Sequence, residues 1–315
     1  MRKFSEIYNE VIQDKNYLEK INNQYKMSLI KKFFWFLLIL FAIVLIMCIV
    51  GKFQVKDLFR DPAYLMVFFV ALITIVGCYL YSYVCLRDSF RLKYKETVIK
   101  KIVNSIDSNL IYSPTQGIGL MDYHRGFRDK GKRIETEDMI CGRIDDSIIL
   151  NMSQVKVTHE ESHRDRDGRY VSETVVDFFG LYGFARIQDI AQTEVNIVSN
   201  SFFRKFNQNR VEVESEHFEK IYDVISANRM YAMKIMRPKV IEAFVKVSES
   251  GCKGLEVRIF NDTIFFRYKA GDIFEPAKIG DMFKPEKIRE YIMTIYNPLN
   301  IVRALNYAIR EEKKI

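Results

Sequence analysis

The sequence is short of the residues that most often carry site chemistry. Five cysteines and four histidines occur among 315 residues. Cys48, Cys78 and Cys85 fall inside two apolar runs, while Cys141 and Cys252 stand far apart and in no C-x-x-C pair. That pattern excludes a disulfide scaffold and a zinc ribbon. There is no P-loop, dinucleotide fingerprint, G-x-S-x-G or kinase set, so no cofactor is expected. No small-residue cleavage site follows the first apolar run, and a cleaved signal peptide is not expected. No internal repeat is visible.

Charge is missing altogether from two stretches. Phe33–Val50 is eighteen residues without a charge and Ala63–Leu86 is twenty-four. A bilayer core takes ~20 apolar residues as a helix, because unpaired backbone groups in lipid cost several kcal/mol each. The connector 51–62 allows only a tight return, so residues 33–86 read as a transmembrane hairpin with spans 33–50 and 63–86. Neither span holds an Asp, Glu, Lys, Arg or His, which argues against an ion path or proton relay. The hairpin reads as an anchor.

The net charge is +8, and its placement matters more than its size. Residues 1–32 hold seven basic against four acidic side chains, and residues 87–106 hold six against two. The remainder, 107–315, is balanced at 32 of each. The basic excess therefore flanks the apolar runs: Lys15, Lys20, Lys26, Lys31 and Lys32 on one side, Arg87, Arg91, Lys93, Lys95, Lys100 and Lys101 on the other. By the positive-inside bias both termini are cytoplasmic. A neutral C-terminal region removes the case for nucleic acid that the basic pI would raise.

Apolar positions recur at helical spacing over 4–29 (Phe4, Ile7, Val11, Leu18, Ile21, Tyr25) and again after the second run (Phe90, Tyr94, Val98, Ile102, Ile106). Segment 1–32 is expected to be one amphipathic helix. It pairs with a juxtamembrane helix over 87–113 as a two-helix stalk ~30 Å long. The competing reading lays 4–29 flat on the headgroups.

Pro114, Gly117 and Gly119 break the pattern, and an α+β domain over 114–315 is placed after them, with possible sub-lobes 114–205 and 206–315. Residues 147–150, 155–157 and 171–179 read as strands. Asp167-Gly168 turns between the last two and implies a long hairpin. Val195–Val198 adds a short strand. Val211 and Val213 end another, and Ser215 caps a helix carrying Phe218, Ile221 and Tyr222. Residues 227–236 look helical, and Pro238 opens the next helix. Leu255, Val257, Ile259 and Ile264, Phe266, Tyr268 alternate around Asn261-Asp262, the clearest hairpin in the chain. A last helix starts at Pro285, breaks at Pro298 and resumes through Leu305 and Ile309. The fold class is α+β with mostly antiparallel strands.

One string matches a catalytic spacing. His159-Glu160-Glu161-Ser162-His163 fits H-E-x-x-H, in which two histidines one helical turn apart bind zinc and the glutamate activates water. Its surroundings argue against that reading. Val155 and Val157 alternate as in a strand, the residues after it are charged, and no third ligand follows at a family spacing. A solvated hairpin tip is expected instead. Asp165-x-Asp167-Gly168 lacks the closing acid of a calcium loop. Arg125, Arg128, Lys130, Lys132 and Arg133 form a basic loop suited to anionic headgroups.

The run Val211-Glu-Val-Glu-Ser-Glu-His-Phe218-Glu219-Lys220-Ile-Tyr222-Asp-Val224 resembles the central signature of a bacterial membrane family, domain of unknown function 3137. Met236-Arg237-Pro238, the hairpin at 255–268 and Asp272-Ile273-Phe274-Glu275 continue the likeness. Phe179-Gly180-Leu181-Tyr182 is similar to the family's Phe-x-Gly-aromatic element, and the two early apolar runs match its layout. The likeness departs at Met236-Arg237, where family members usually have Leu-Thr, and at the tip 158–169. It implies an architecture in a bacterial inner membrane and brings no activity, substrate or cofactor.

The expected function is a membrane-anchored cytoplasmic interaction or ligand-sensing module, more a binding protein than an enzyme. Its expected partners are the lipid bilayer, an unidentified protein and a further copy of the chain. The alternatives are a membrane-proximal metal-dependent hydrolase using His159, Glu160 and His163, and a self-assembling membrane scaffold.

Overall fold

A computed structural model describes residues 4–50, 62–145, 147–164, 170–200, 208–250, 252, 254–277 and 281–313. The connector 51–61, the turn at Asp167-Gly168 and the Asp165/Asp167 pair lie outside the described residues. The chain divides into two compact units. One spans Ile12–Tyr94, and the other joins the residues up to Val11 to those from Lys95 onward.

The first unit consists of α2 (Lys15–Val50) and α3 (Pro62–Tyr94). Tyr25 meets Phe90 edge-on at 6.5 Å between ring centroids, and Phe33 meets Tyr79 at 5.7 Å. The two helices therefore run antiparallel against each other. Their large apolar side chains face outward: Trp35 is 68% exposed and Ile73 69%. Phe68–Ile106, counted through α3 and the turns that follow it, is long and apolar enough to cross a membrane by length and composition.

The expected single helix over 1–32 is divided. α1 (Phe4–Ile12) ends at a turn over Gln13-Asp14, and α2 starts at Lys15. α1 packs against the larger unit, with Ile7 and Val11 fully buried. The Tyr8 hydroxyl donates to the Phe283 carbonyl at 3.2 Å, and Ser105 donates to Glu10 at 3.3 Å. Burying the two aliphatic side chains fixes α1 there, so its stripe is used up on the unit's own residues.

The expected stalk helix over 87–113 and the boundary at 114 also shift. A π turn at Lys95–Ile99 and α4 (Lys100–Ile106) already belong to the larger unit, because Val98, Ile99, Ile102 and Val103 are all buried in it. β1 (Leu110–Ser113) follows, then α5 (Leu120–Gly126), β2 (Arg133–Ile144), β3 (Ile148–Arg164) and β4 (Tyr170–Arg186). β5 (Val195–Ser199), β6 (Arg210–Val211), the single turn α6 (Glu216–Glu219) and β7 (Tyr222–Ser226) come next. The chain ends with α7 (Arg229–Ile235), α8 (Pro238–Glu249), β8 (Glu256–Phe260), β9 (Thr263–Lys269) and α9 (Pro285–Glu312).

Among the described residues the nine strands join one antiparallel sheet in the order β1-β2-β3-β4-β9-β8-β5-β7-β6. The proposed sub-lobes are thus a single layer, since β4 pairs with β9 and β5 pairs with both β7 and β8. Successive strand residues face opposite sides, and β9 shows what lies on each. The Tyr268 hydroxyl donates to the Thr294 carbonyl of α9, whereas Arg267 reaches Tyr123 of α5. α4, α7 and α8 pack with α9, and α5 covers the opposite face over Val155, Val157, Phe178, Tyr182 and Phe265.

Two further expectations change. Tyr222 begins a strand instead of continuing the helix capped by Ser215, because α6 stops after one turn. Pro298 does not break α9. The buried stripe runs on from Ile295 to Leu299 and Val302, and that burial outweighs the one backbone hydrogen bond a proline removes.

Candidate functional site

The π turn carries a lysine into the interior. Lys95 is 2% exposed and its ammonium stands among three carboxylates: Asp138 at 2.6 Å, Glu275 at 3.0 Å and Glu137 at 3.2 Å. Asp138 reaches it from a bulge in β2, where the register shifts between Glu137 and Ile140 and Asp138 takes φ 61°. That left-handed backbone is one Asp adopts more readily than most residues. The Tyr112 hydroxyl donates to the other oxygen of Asp138. Gln154 Nε2 donates to Glu137 at 2.9 Å and to Asp272 at 3.2 Å, while its Oε1 accepts from the Ile273 N–H at 2.7 Å. Beside the cluster an open groove of about 370 Å³ is lined by Glu135, Gln154, Lys156, Phe179 and Asp272.

Glu137, Asp138 and Glu275 are spaced closely enough to hold a metal ion, but the Lys95 ammonium already supplies the positive charge. Burial opposes that charge, and Asp138 and Glu275 outweigh it, so the Lys95 pKa lies above its ordinary value. For Asp138, burial is the largest influence and exceeds the pull of Lys95, so its pKa is pushed up to about 6. The two shifts conflict if each pair is taken alone. They agree once one ammonium is shared among three carboxylates, because the most buried acid then protonates first.

A raised carboxylate pKa stabilises the fold below the unfolded value of ~3.9 and loses that contribution as pH rises through about 6. Lowering the pH from 7 to 5 should therefore stabilise the wild type against urea by ~1 kcal/mol more than Asp138→Asn. Paired urea titrations at the two pH values check this. Equal pH dependence in both proteins would refute it.

Lys95 was not legible as a site residue from its charge, which placed it among the basic flank. Its position gave the missed signal, since it shares a helical stripe with Val98, Ile99 and Ile102.

The face under α5 holds a second, half-buried charge cluster. Arg267 pairs with Asp129 at 2.6 Å and Glu256 at 2.8 Å, and donates to the Tyr123 hydroxyl at 2.7 Å. Its guanidinium lies 4.2 Å from the Phe127 ring centroid. These contacts tie α5 and the segment after it to β9.

The five residues expected as one basic loop are divided, with Arg125 in α5, Arg133 at the start of β2 and the other three between them. Arg125 and Arg128 line a groove of about 510 Å³ with His124, Arg258 and Phe260. Lys130 lies 4.0 Å from Glu161 and Arg133 2.9 Å from Glu160. Lys132 is exposed, and its backbone N–H donates to the Thr158 carbonyl at 2.9 Å. The H-E-x-x-H string lies wholly within β3, in a two-stranded ribbon extending beyond the β2 pairing that ends at Thr158. In a strand, His159 and His163 are ~13 Å apart at the backbone, where a zincin needs one helical turn.

The signature run has local packing reasons. Ser215 accepts from the Phe218 N–H at 3.3 Å, and Glu219 accepts from the Val213 N–H at 2.8 Å. Phe218 packs against Tyr222 with the rings tilted and meets Phe244 edge-on, at 5.3 and 6.0 Å between centroids. Arg210 pairs with Asp223 at 2.9 Å. Gly180 has one as well, because a Cβ there would stand 2.2 Å from the Tyr268 carbonyl oxygen. Residues 176–307 match the model of a family described as protein of unknown function (DUF3137). That stretch is a DUF3137 domain. No curated protein and no solved structure matches the chain. The DUF3137 domain supplies Asp272 and Glu275 to the lysine cluster, whereas Lys95, Tyr112, Glu137, Asp138 and Gln154 precede it.

Proposed function

We propose that the chain is a membrane-anchored cytoplasmic module that binds a protein or ligand, held in a bacterial inner membrane by a helical hairpin with spans 33–50 and 63–86. The observation that carries this reading is the outward apolar surface of α2 and α3. Phe34, Trp35, Ile73 and Tyr81 are all more than 60% exposed, and contiguous apolar surface of that extent needs lipid or a partner to cover it. Eighteen residues of α2 without a charge support a second span beside the apolar helix Phe68–Ile106. The basic flanks support cytoplasmic termini.

In this reading Lys95 sits at the first position of the chain after α3 that belongs to the larger unit. Its ion cluster joins the start of that unit to β1, β2 and the DUF3137 domain. The groove beside Gln154 and Asp272 is the place where a ligand would touch that cluster. Arg125 of α5 and Arg128 just after it, with Met121 86% exposed beside them, are the residues that would meet anionic headgroups.

Reporter fusions test the topology. A reporter after residue 313 should act in the cytoplasm, and one inserted within 51–61 should act on the far side. Cytoplasmic activity at both positions would overturn the two-span hairpin.

A further inference from the structure

The sheet ends at β6, and no strand pairs with its outer edge among the described residues. The Ser226 N–H donates to the Asn209 carbonyl at 2.9 Å, and Val211 stands opposite Val224. Backbone groups along an antiparallel strand point alternately to its two sides, so those of Arg210 and Glu212 point away from β7. Unpaired donors and acceptors in such a row are a template for another strand.

A groove of about 670 Å³ opens where β6 ends. One wall is the segment 212–215, and the other carries Met233, Met236, Ile241 and Val245 of α7, α8 and the turn between them. Val213 is half-buried and Met233 is 50% exposed, so apolar surface is offered to side chains that alternate along an added strand. The charges around it are uneven. Lys234 is held by Glu312 at 3.3 Å and Glu242 by Lys246 at 2.5 Å. Arg237 donates to the Lys234 carbonyl at 3.2 Å. Glu212 and Glu214 are both exposed, and neither makes an ion pair among the described residues. The wall beside the free edge is therefore acidic.

We propose that β6 accepts an extended segment of a partner protein, with basic side chains along Glu212 and Glu214 and apolar side chains alternating into the groove. The main chain of that segment would pair with Arg210 and Glu212, and its positive charge would match the acidic wall. This rests on reading the chain as a binding module and names the chemistry of the protein it takes. It depends neither on the membrane hairpin nor on the groove beside Gln154.

A labelled heptapeptide of alternating lysine and valine, added to the full chain in neutral detergent and followed by fluorescence anisotropy, tests the site. The wild type should bind it, and should bind the glutamate–valine counterpart at least ~10-fold more weakly. Glu212→Lys combined with Glu214→Lys should weaken the lysine peptide ~10-fold or more, as should Met233→Glu on the other wall. Of two peptides N-methylated at the valines or at the lysines, one should lose ~10-fold, because only one set of N–H groups faces β6. No binding by the wild type, equal binding of the two charge types, wild-type affinity in either variant, or full binding by both methylated peptides would each overturn the proposal. A dimer of the full chain that Met233→Glu dissociates, without peptide binding, would assign the edge to a second copy instead. The topology is decided separately by the reporter fusions, so failure here leaves the hairpin standing.

Discussion

Lys95→Met is expected to destabilise the larger unit by ~3–5 kcal/mol, the cost of removing one partner from a buried ion cluster. The methionine would fill much of the volume of the lysine stem, so packing contributes little to that loss. What remains is Asp138, fully buried, with Glu137 and Glu275 nearby and no ammonium among them. A second substitution separates charge from shape. Lys95→Met combined with Asp138→Asn removes the stranded charge together with its partner, and should recover a substantial part of the loss. Urea unfolding of the two variants and the wild type measures the coupling. A loss below ~1 kcal/mol in Lys95→Met would mean that the cluster is not closed in the folded protein.

Gly180→Ala should cost about 3 kcal/mol or more, at the upper end for overpacking. The three nearest atoms that the new methyl would meet are all backbone: the Tyr268 oxygen at 2.2 Å, the Ala270 nitrogen at 2.7 Å and Lys269 Cα at 2.9 Å. A flexible side chain could turn away, but these atoms cannot move without parting β4 from β9. Gly180 pairs with Lys269 at one end of that ladder, which joins the strands expected in one sub-lobe to those expected in the other. Thermal unfolding checks the cost. A shift of less than ~1 °C would contradict the close approach.

The legible parts of the fold were those written in local pattern. The β8–β9 hairpin was readable because Leu255, Val257, Ile259 and Ile264, Phe266, Tyr268 alternate around Asn261, which takes φ 54° in the turn. Ser215 was readable as a cap and Pro238 as a first helical residue for similarly local reasons. β1 and β2 were not. Leu110–Ser113 is four residues long and follows a helix, and β2 carries Glu135, Glu137 and Asp138 in positions where alternation would show only a broken strand. Glu137 and Asp138 make sense only with Lys95 beside them, more than 40 residues away in the chain, and Glu135 only with Lys156 of the next strand.

The candidate site was legible in part for the same reason. The H-E-x-x-H string was visible as a spacing, but the contact of His159 with Asp177 depends on the pairing of β3 with β4, whose register the spacing does not reveal. The basic loop was visible as composition. Its division depends on Glu160 and Glu161, which the ribbon brings to Arg133 and Lys130. The break at Gln13-Asp14 was hidden because the apolar spacing runs straight through it.

Membrane integration is the claim on which the functional reading rests, and alkaline carbonate extraction of membranes bearing the full chain tests it most directly. The account predicts that the full chain stays in the membrane pellet at high pH, while a chain starting at Lys95 is released to the supernatant. Release of the full chain would contradict it.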